Sequence, residues 1–139
     1  LQRLTDAAGW WRSGDCARLT PGLKILGRLD TAIHSGGETV FPEELERRLL
    51  ASACKAALPV DAVLLLGIPD PEWGEQLVAL VRAKDSGLLE PLARLTRAWP
   101  APERPRRWLF CPDLAPTEAG KWQRQRWLHW LERLDAAEA

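Results

Sequence analysis

The chain of 139 residues has the length of one ordinary domain, and 46% hydrophobic residues are enough for a single core of modest size. Nineteen basic residues balance nineteen acidic ones, so no net field attracts nucleic acid or an anionic membrane surface, and we expect neither as a partner. The longest apolar runs reach about a third of the roughly 20 residues that a membrane helix needs. We therefore expect a soluble, cytoplasmic protein without a membrane span or signal peptide.

The cysteines and the methionines bear on compartment and completeness. Cys16, Cys54 and Cys111 are odd in number, widely separated and without metal-ligand spacing, which disfavours a disulfide framework and a zinc site. We expect free structural thiols in a reducing compartment. Because the sequence contains no Met, even at its first position, we also expect it to be a segment of a longer protein.

The first predicted element is a short β-hairpin with strands at 17–19 and 23–27. Between them, Pro21 presets one turn dihedral and Gly22 accepts a positive φ. The following stretch, 28–40, carries glycines and has no helical period, so it is predicted to be a connection.

A helix is predicted over 42–58, where Pro42 suits the first helical position. Its apolar residues recur at helical spacing: Leu45, Leu49, Ala53 and Ala56. Dense aliphatic runs at 62–68 and 76–83 predict two adjacent strands, and the turn-rich loop 69–74 separates them.

The last third of the chain predicts two more helices and one strand. Leu88, Leu92, Leu95 and Trp99 mark an amphipathic helix, and a proline-rich passage leads from it to a strand at 107–111. After the loop 112–120, apolar residues at i, i+3, i+4 and i+7 describe a terminal helix: Trp127, Trp130, Leu131 and Leu134. The fold class is thus α+β, with a small antiparallel sheet of about three strands flanked by helices and preceded by a short β-hairpin and a hinge.

Tryptophan is frequent, with eight residues in the chain. Trp127 and Trp130 share the apolar face of the terminal helix, so we interpret most of the tryptophans as packing groups.

Three motifs are informative as a set. Residues 9–15 read Gly-Trp-Trp-Arg-Ser-Gly-Asp, residues 27–46 contain Gly-Arg-Leu-Asp, Ser-Gly-Gly-Glu and Pro-Glu-Glu-Leu-Glu, and residues 116–121 read Pro-Thr-Glu-Ala-Gly-Lys. In this order and at these separations they resemble the adenylate-forming superfamily of acyl-CoA synthetases, peptide-synthetase adenylation domains and luciferases. The resemblance covers 9–131 and includes the strand-exit loop 67–75.

The resemblance implies a catalytic role for Lys121. During adenylation a carboxylate approaches an anionic triphosphate, and an ammonium about 4 Å away supplies attraction of roughly 4 kcal/mol at an effective dielectric near 20. A lysine is a compact, mobile point charge that can enter a crowded site and withdraw. Without the motif, the same lysine would be read as a solvent-facing residue.

The resemblance implies nucleotide contacts for Asp15 and Arg28. Asp15 matches the aspartate that holds the adenosine ribose hydroxyls, and a carboxylate can accept hydrogen bonds from two neighbouring hydroxyls. Arg28 matches an arginine that approaches the nucleotide from the other side. The plainer alternatives are a turn-capping aspartate and an arginine in a surface ion pair.

Two further sites follow from the same resemblance. Asp30 matches the hinge on which the small domain pivots between an adenylating and a thioester-forming pose. Gly36 and Gly37 match the loop that lines the pantetheine tunnel of coenzyme A, where missing Cβ atoms let a thin ligand pass close to the backbone. A tight turn between strand and helix is the alternative for these glycines.

The resemblance also implies what else the enzyme requires. We expect residues 1–29 to end a large amino-terminal adenylation domain with the hairpin, and residues 30–139 to form the carboxy-terminal lid domain. Because the chain has no glycine- and serine-rich phosphate loop, we expect it to be inactive alone. The implied cofactors are ATP, which becomes AMP, and CoA. Mg²⁺ is expected to accompany ATP without ligands from these residues, and a homodimer stays open.

Within the superfamily, 104–109 and 121–131 are similar to the o-succinylbenzoate-CoA ligases of menaquinone and phylloquinone synthesis. Another aryl- or fatty acyl-CoA ligase is the alternative, because Thr39 and the Trp122-Gln123 pair depart from residues common in relatives. A different class also stays open: a stand-alone module that binds another protein through its tryptophans.

Overall fold

A computed structural model describes the backbone of residues 15–19, 23–28 and 31–138, and the side chains of residues 31–138. It begins with an antiparallel hairpin of β1 (Asp15–Leu19) and β2 (Leu23–Arg28), which confirms the first predicted element. The motif at 9–14, the turn at 20–22 and Asp30, the predicted hinge residue, lie outside the described residues.

A second hairpin follows where the sequence predicted only a connection. Strands β3 (Ile33–Ser35) and β4 (Glu38–Val40) pair antiparallel around Gly36 and Gly37. Both glycines have positive φ, +60° and +83°, as a two-residue turn of the mirror-image type I class requires. The turn therefore joins two strands and not a strand and a helix, and the prediction for 28–40 was wrong at this point.

The first helix, α1 (Pro42–Lys55), starts at proline and buries the predicted apolar stripe. The helix ends at Lys55 and not at the predicted 58, and Ala57, just after its end, adopts a φ of +57°. Helix α1 leads into the long hairpin of β5 (Val60–Asp70) and β6 (Gly74–Ala83). Both predicted strands are confirmed, and they extend into the predicted loop, leaving 71–73 as the turn.

The remaining elements are α2 (Leu89–Leu95), β7 (Arg107–Phe110) and α3 (Arg124–Glu138). Short 3₁₀ turns at Ser86–Leu88 and Ala101–Glu103 flank α2. Strand β7 pairs parallel with β6, whereas the other strands of the sheet pair antiparallel in the order β4-β3-β6-β5. The α+β class is confirmed. The sheet nevertheless has five strands rather than about three, and one parallel pair makes it mixed.

The sheet separates two hydrophobic clusters because successive side chains of a strand point to opposite faces. On β5, Val63 and Leu65 pack with α1 and α2, whereas Leu64 and Leu66 pack with α3. Because helices cover both faces of the sheet, side chains on both faces of β5 are apolar, and the middle of this strand is a continuous aliphatic run. In the part of the chain that the structure describes, no helix combines the length and apolar character that crossing a bilayer requires.

Several tryptophans pack as predicted. Trp127 is 2% exposed in the α3 cluster, where its ring meets that of Trp130 edge to face, with centroids 6.3 Å apart. Trp122 packs partly against the same cluster, and Trp99 and Trp108 pack partly against the cluster of α1 and α2.

Candidate functional site

Lys121 lies in a compact loop before α3. We call Thr117–Lys121 the lysine loop. The Thr117 amide donates to the Lys121 carbonyl at 2.8 Å, and the Lys121 amide donates to Thr117 Oγ1 at 3.2 Å. Gly120, with a φ of +78°, allows the chain to turn between them. The backbone of Lys121 is therefore held while its side chain is exposed, and no carboxylate among residues 31–138 lies within ion-pair distance of it.

Arg124, the first residue of α3, reaches across the domain into a buried ion pair. Its Nη1 donates to Glu46 Oε2 and to the Leu65 carbonyl, both at 3.0 Å, and its Nη2 donates to Glu46 Oε1 at 3.3 Å. Glu46 is 6% exposed and also accepts the Leu65 amide at 2.7 Å. Burial raises the pKa of Glu46 above its usual value, and the hydrogen bond from Arg124 opposes that rise.

Beside this pair, Thr31 is tied to α1. Thr31 donates a hydrogen bond to Glu43, whose carboxylate also lies 3.6 Å from Arg124. Glu43 thus faces Arg124, and the neighbouring Glu44 lies 3.6 Å from Arg48, one turn further along α1. A cleft of about 350 Å³ between Thr31 and Arg124 opens beside these groups.

The second candidate region is the turn of Gly36 and Gly37, which we call the glycine turn. The Gly36 amide donates to the Trp73 carbonyl at 2.9 Å. A Cβ at Gly36 would fall 2.4 Å from the Trp73 ring, while a Cβ at Gly37 would meet nothing within 4 Å. Gly36 therefore packs against an aromatic ring, and Gly37 presents bare backbone to open space.

Arg106 links the glycine turn to a hollow lined by further arginines. The Arg106 guanidinium lies 4.1 Å from the centroid of the Trp73 ring, a cation–π distance. Arg97, Arg104 and Arg106 line a neighbouring hollow of about 240 Å³ together with Trp108. The Arg104 Nε is buried without a hydrogen-bond partner among the described residues. Such a set of guanidinium groups suits phosphate oxygens.

The structure places the other predicted residues only in part. Asp15 and Arg28 are opposite each other in the register of β1 and β2, so the two residues predicted to contact the nucleotide share one end of the hairpin.

The lysine loop and the glycine turn belong to different parts of the fold, and no hydrogen bond or ion pair joins them within residues 31–138. The described residues contain no group of three or more His, Cys, Asp or Glu side chains suited to a metal ion.

Sequence reasoning assigned no individual role to Glu46, Arg124, Trp73 or Arg106. One signal was available for Glu46, because it lies on the stripe that α1 buries, between Leu45 and Leu49. A carboxylate in such a place is expected to have a partner. The identity of that partner, 78 residues away in Arg124, could not be read from local spacing.

Comparisons with known proteins identify relatives of this chain. No family profile matches the chain. An uncharacterised acyl-CoA ligase of Bacillus subtilis, YhfT, is 36% identical over 115 residues, which is 79% of this chain and 22% of that protein. The 2-succinylbenzoate-CoA ligase of Enterococcus faecalis is 31% identical over 88% of this chain and 25% of its own length. The 4-chlorobenzoate-CoA ligase of Pseudomonas sp. CBS-3 is 33% identical over 99% of this chain and 26% of its own length.

Solved structures agree in fold. Escherichia coli MenE with a bound phenylether-linked analogue of OSB-AMS superimposes with a TM-score of 0.70 and 30% identity, over 96% of this chain and 28% of that one. The o-succinylbenzoate CoA synthetase MenE of Bacillus subtilis, in complex with the acyl-adenylate OSB-AMP, gives a TM-score of 0.71 and 25% identity, over 86% and 24%. The chain thus spans about a quarter of the length of the curated relatives it matches.

Proposed function

Since the chain belongs to the adenylate-forming acyl-CoA ligases and has the fold of their carboxy-terminal domain, we propose that it is the mobile lid of a larger acid-CoA ligase. In this proposal residues 1–29 end a large amino-terminal domain, and residues 30–139 form the lid. The supporting observation is coverage, because relatives match nearly all of this chain and only about a quarter of themselves.

The proposed reaction has two steps. In the first, a carboxylate oxygen of the acid attacks the α-phosphorus of ATP and pyrophosphate leaves, giving an acyl-adenylate. In the second, the CoA sulfur loses its proton and attacks the acyl carbon, and AMP leaves. Lys121 serves the first step, because its exposed ammonium on a held backbone can meet the excess negative charge at the α-phosphate.

The glycine turn serves the second step. Gly37 offers backbone with nothing near its missing Cβ, which suits the close passage of the thin pantetheine chain. Arg106 on the Trp73 ring, together with Arg97 and Arg104 in the adjoining hollow, supplies cations for the phosphates of CoA. The two regions lie on separate elements, so a lid that pivots can present one of them in each step.

Three further assignments complete the proposal. Asp15 binds the ribose hydroxyls of the nucleotide, Arg28 approaches the nucleotide from the other side, and Asp30 is the hinge. The opposition of Asp15 and Arg28 across one hairpin end supports a shared nucleotide role. Mg²⁺ would enter with ATP and find its ligands outside the residues assigned here.

For the acid, we propose o-succinylbenzoate. Support comes from the Enterococcus faecalis relative, whose name gives 2-succinylbenzoate as its substrate, and from the similarity to the MenE structures. The 4-chlorobenzoate ligase is equally similar, so another aryl acid or a fatty acid is the competing substrate class.

The test uses the complete polypeptide that contains this chain. It should convert acid, ATP and CoA to the CoA thioester, AMP and pyrophosphate, with a higher kcat/KM for o-succinylbenzoate than for 4-chlorobenzoate, benzoate or octanoate. The 139-residue chain alone, the matched control, should produce no thioester. Preference for another acid would replace the proposed substrate and keep the reaction class. Absence of thioester with every acid, or turnover by the isolated chain, would refute the proposal.

A further inference from the structure

Arg124 and Glu46 form a buried ion pair with several hydrogen bonds. Arg124 makes three hydrogen bonds, two of them to Glu46 and one to the Leu65 carbonyl. The exposed fractions of the two side chains are 16% and 8%. Buried ion pairs of this kind are weak contributors to stability, since apolar residues of similar volume often do as well or better. Their better attested use is to fix one arrangement among alternatives.

The arrangement that this pair fixes includes the lysine loop. Arg124 opens α3 and follows Lys121 by only three residues. Trp122, between them, packs partly against the α3 cluster. On the other side of the loop, Leu114 is fully buried and its carbonyl accepts a hydrogen bond from Arg82 at 2.6 Å. The lysine loop therefore lies between two anchors, Leu114 before it and Arg124, in its ion pair with Glu46, after it.

Without Arg124 the downstream anchor would be weak. Gln123, just before α3, is exposed, and so are Gln125 and Arg126 in its first turn, so little else there is buried before Trp127. Helix ends fray when their first residues lack partners. Fraying here would move the base of the Lys121 side chain, and a displacement of about 1 Å can slow a reaction by about a hundredfold.

We propose that Arg124, held by Glu46 and the Leu65 carbonyl, is a positioning residue that fixes the backbone from which Lys121 reaches the reacting phosphate. This inference rests on the proposed function of Lys121. It assigns to the pair a role in acyl-adenylate formation and none in transfer of the acyl group to CoA, which uses the glycine turn.

The first experiment measures the two half-reactions separately in the complete enzyme. Arg124→Met should slow acyl-adenylate formation at least about tenfold and leave thioester formation from supplied acyl-adenylate unchanged. Arg126→Met is the matched control, because the Arg126 guanidinium lies over the Trp127 ring, 5.2 Å from its centroid, and is exposed. It should leave both steps unchanged. If Arg124→Met fails to fold by circular dichroism, Glu46→Gln takes its place.

A double substitution then separates positioning from general damage. In a Lys121→Ala background, Arg124→Met should cause no additional loss of acyl-adenylate formation, since the residue it positions is gone. Equal slowing of both half-reactions by Arg124→Met, or a full additional loss in the double variant, would overturn the inference.

The second experiment does not depend on activity. Limited trypsin digestion of the 139-residue chain, followed by mass spectrometry, gives the rate of cleavage after Lys121 relative to that after Lys84. Arg124→Met should raise this ratio several-fold and Arg126→Met should not; an unchanged ratio would overturn the inference. If Lys121→Ala left acyl-adenylate formation intact, the proposed function would fail, whereas the digestion would still report whether Arg124 holds the loop.

Discussion

The two ends of α3 use the same chemistry in opposite surroundings. At its start, Arg124 meets Glu46 in the interior, and burial raises the pKa of that carboxyl group. At its far end, Arg107 of β7 meets Asp135 at 2.7 Å on the surface, and this hydrogen bond lowers the pKa of Asp135. The type of pair is therefore a poor guide to its consequence. The solvent exposure of an arginine–carboxylate pair determines how much stability is lost when one partner is removed.

The difference matters for the lysine loop. The buried pair lies at the start of α3, three residues after Lys121, and the exposed pair lies towards the other end of the helix. Removing one partner of the buried pair leaves an uncompensated charge in the interior, whereas removing one partner of the exposed pair leaves a charge that water can solvate. Substitutions at the two ion pairs make this contrast quantitative, and substitutions in the glycine turn make a similar comparison between two environments.

The largest effect on stability is expected at the buried pair. Arg124→Met should lower the free energy of unfolding of the chain by about 3–5 kcal/mol, because Glu46 stays buried without its cation. Urea denaturation followed by circular dichroism measures this. Adding Glu46→Leu to the variant should restore part of the loss, since the orphaned charge is gone. A loss below about 1 kcal/mol for Arg124→Met would place this pair with surface ion pairs and erase the contrast.

A smaller difference is expected within the glycine turn, where the same substitution meets two environments. Both glycines have positive φ, so alanine is strained at either position. Only at Gly36 does a Cβ collide with the Trp73 ring. Gly36→Ala should therefore cost about 1–3 kcal/mol more than Gly37→Ala in the same urea titration. Equal losses of stability for the two substitutions would contradict this prediction, because they would mean that the Trp73 ring moves aside at no cost. In that case, adding Trp73→Ala to Gly36→Ala should restore no stability.

The smallest effect is expected at the exposed pair, and its signature is the dependence on pH. Arg107 lowers the pKa of Asp135. The stabilisation that this ion pair contributes is therefore present above the ordinary pKa of an aspartate, and it is lost as the pH falls through the lowered pKa. The stability of Asp135→Asn should therefore fall slightly below that of the unmodified chain at neutral pH and converge with it in acid. A stability difference that is constant from neutral to strongly acidic pH would contradict this assignment.

Elements fixed by local patterns could be predicted from the sequence. The helical spacing from Leu45 to Ala53 gave α1, and the aliphatic runs gave β5 and β6. The hairpin around Gly36 was missed because its strands have three residues each, too few for an alternating pattern to stand out. The parallel pairing of β7 with β6 depends on a distant crossover and leaves no local mark.

The candidate site shows the same difference between local motifs and distant partners. Lys121 and the two glycines were predicted from motifs, and the structure places them in tight, hydrogen-bonded turns. Arg124 resembles any surface arginine of an amphipathic helix until the fold brings it to Glu46, and Trp73 resembles a loop residue until Arg106 covers it. Partners that are distant in sequence were thus the part that local reasoning could not supply.

In the proposed reaction, the Lys121 ammonium promotes formation of the acyl-adenylate and has no part in thioester formation. The decisive experiment is Lys121→Ala in the complete enzyme, with both half-reactions measured in single turnovers. We expect acyl-adenylate formation to slow by about a hundredfold or more, while transfer from supplied acyl-adenylate to CoA keeps its rate. An unchanged rate of acyl-adenylate formation in this variant would rule out this role of Lys121.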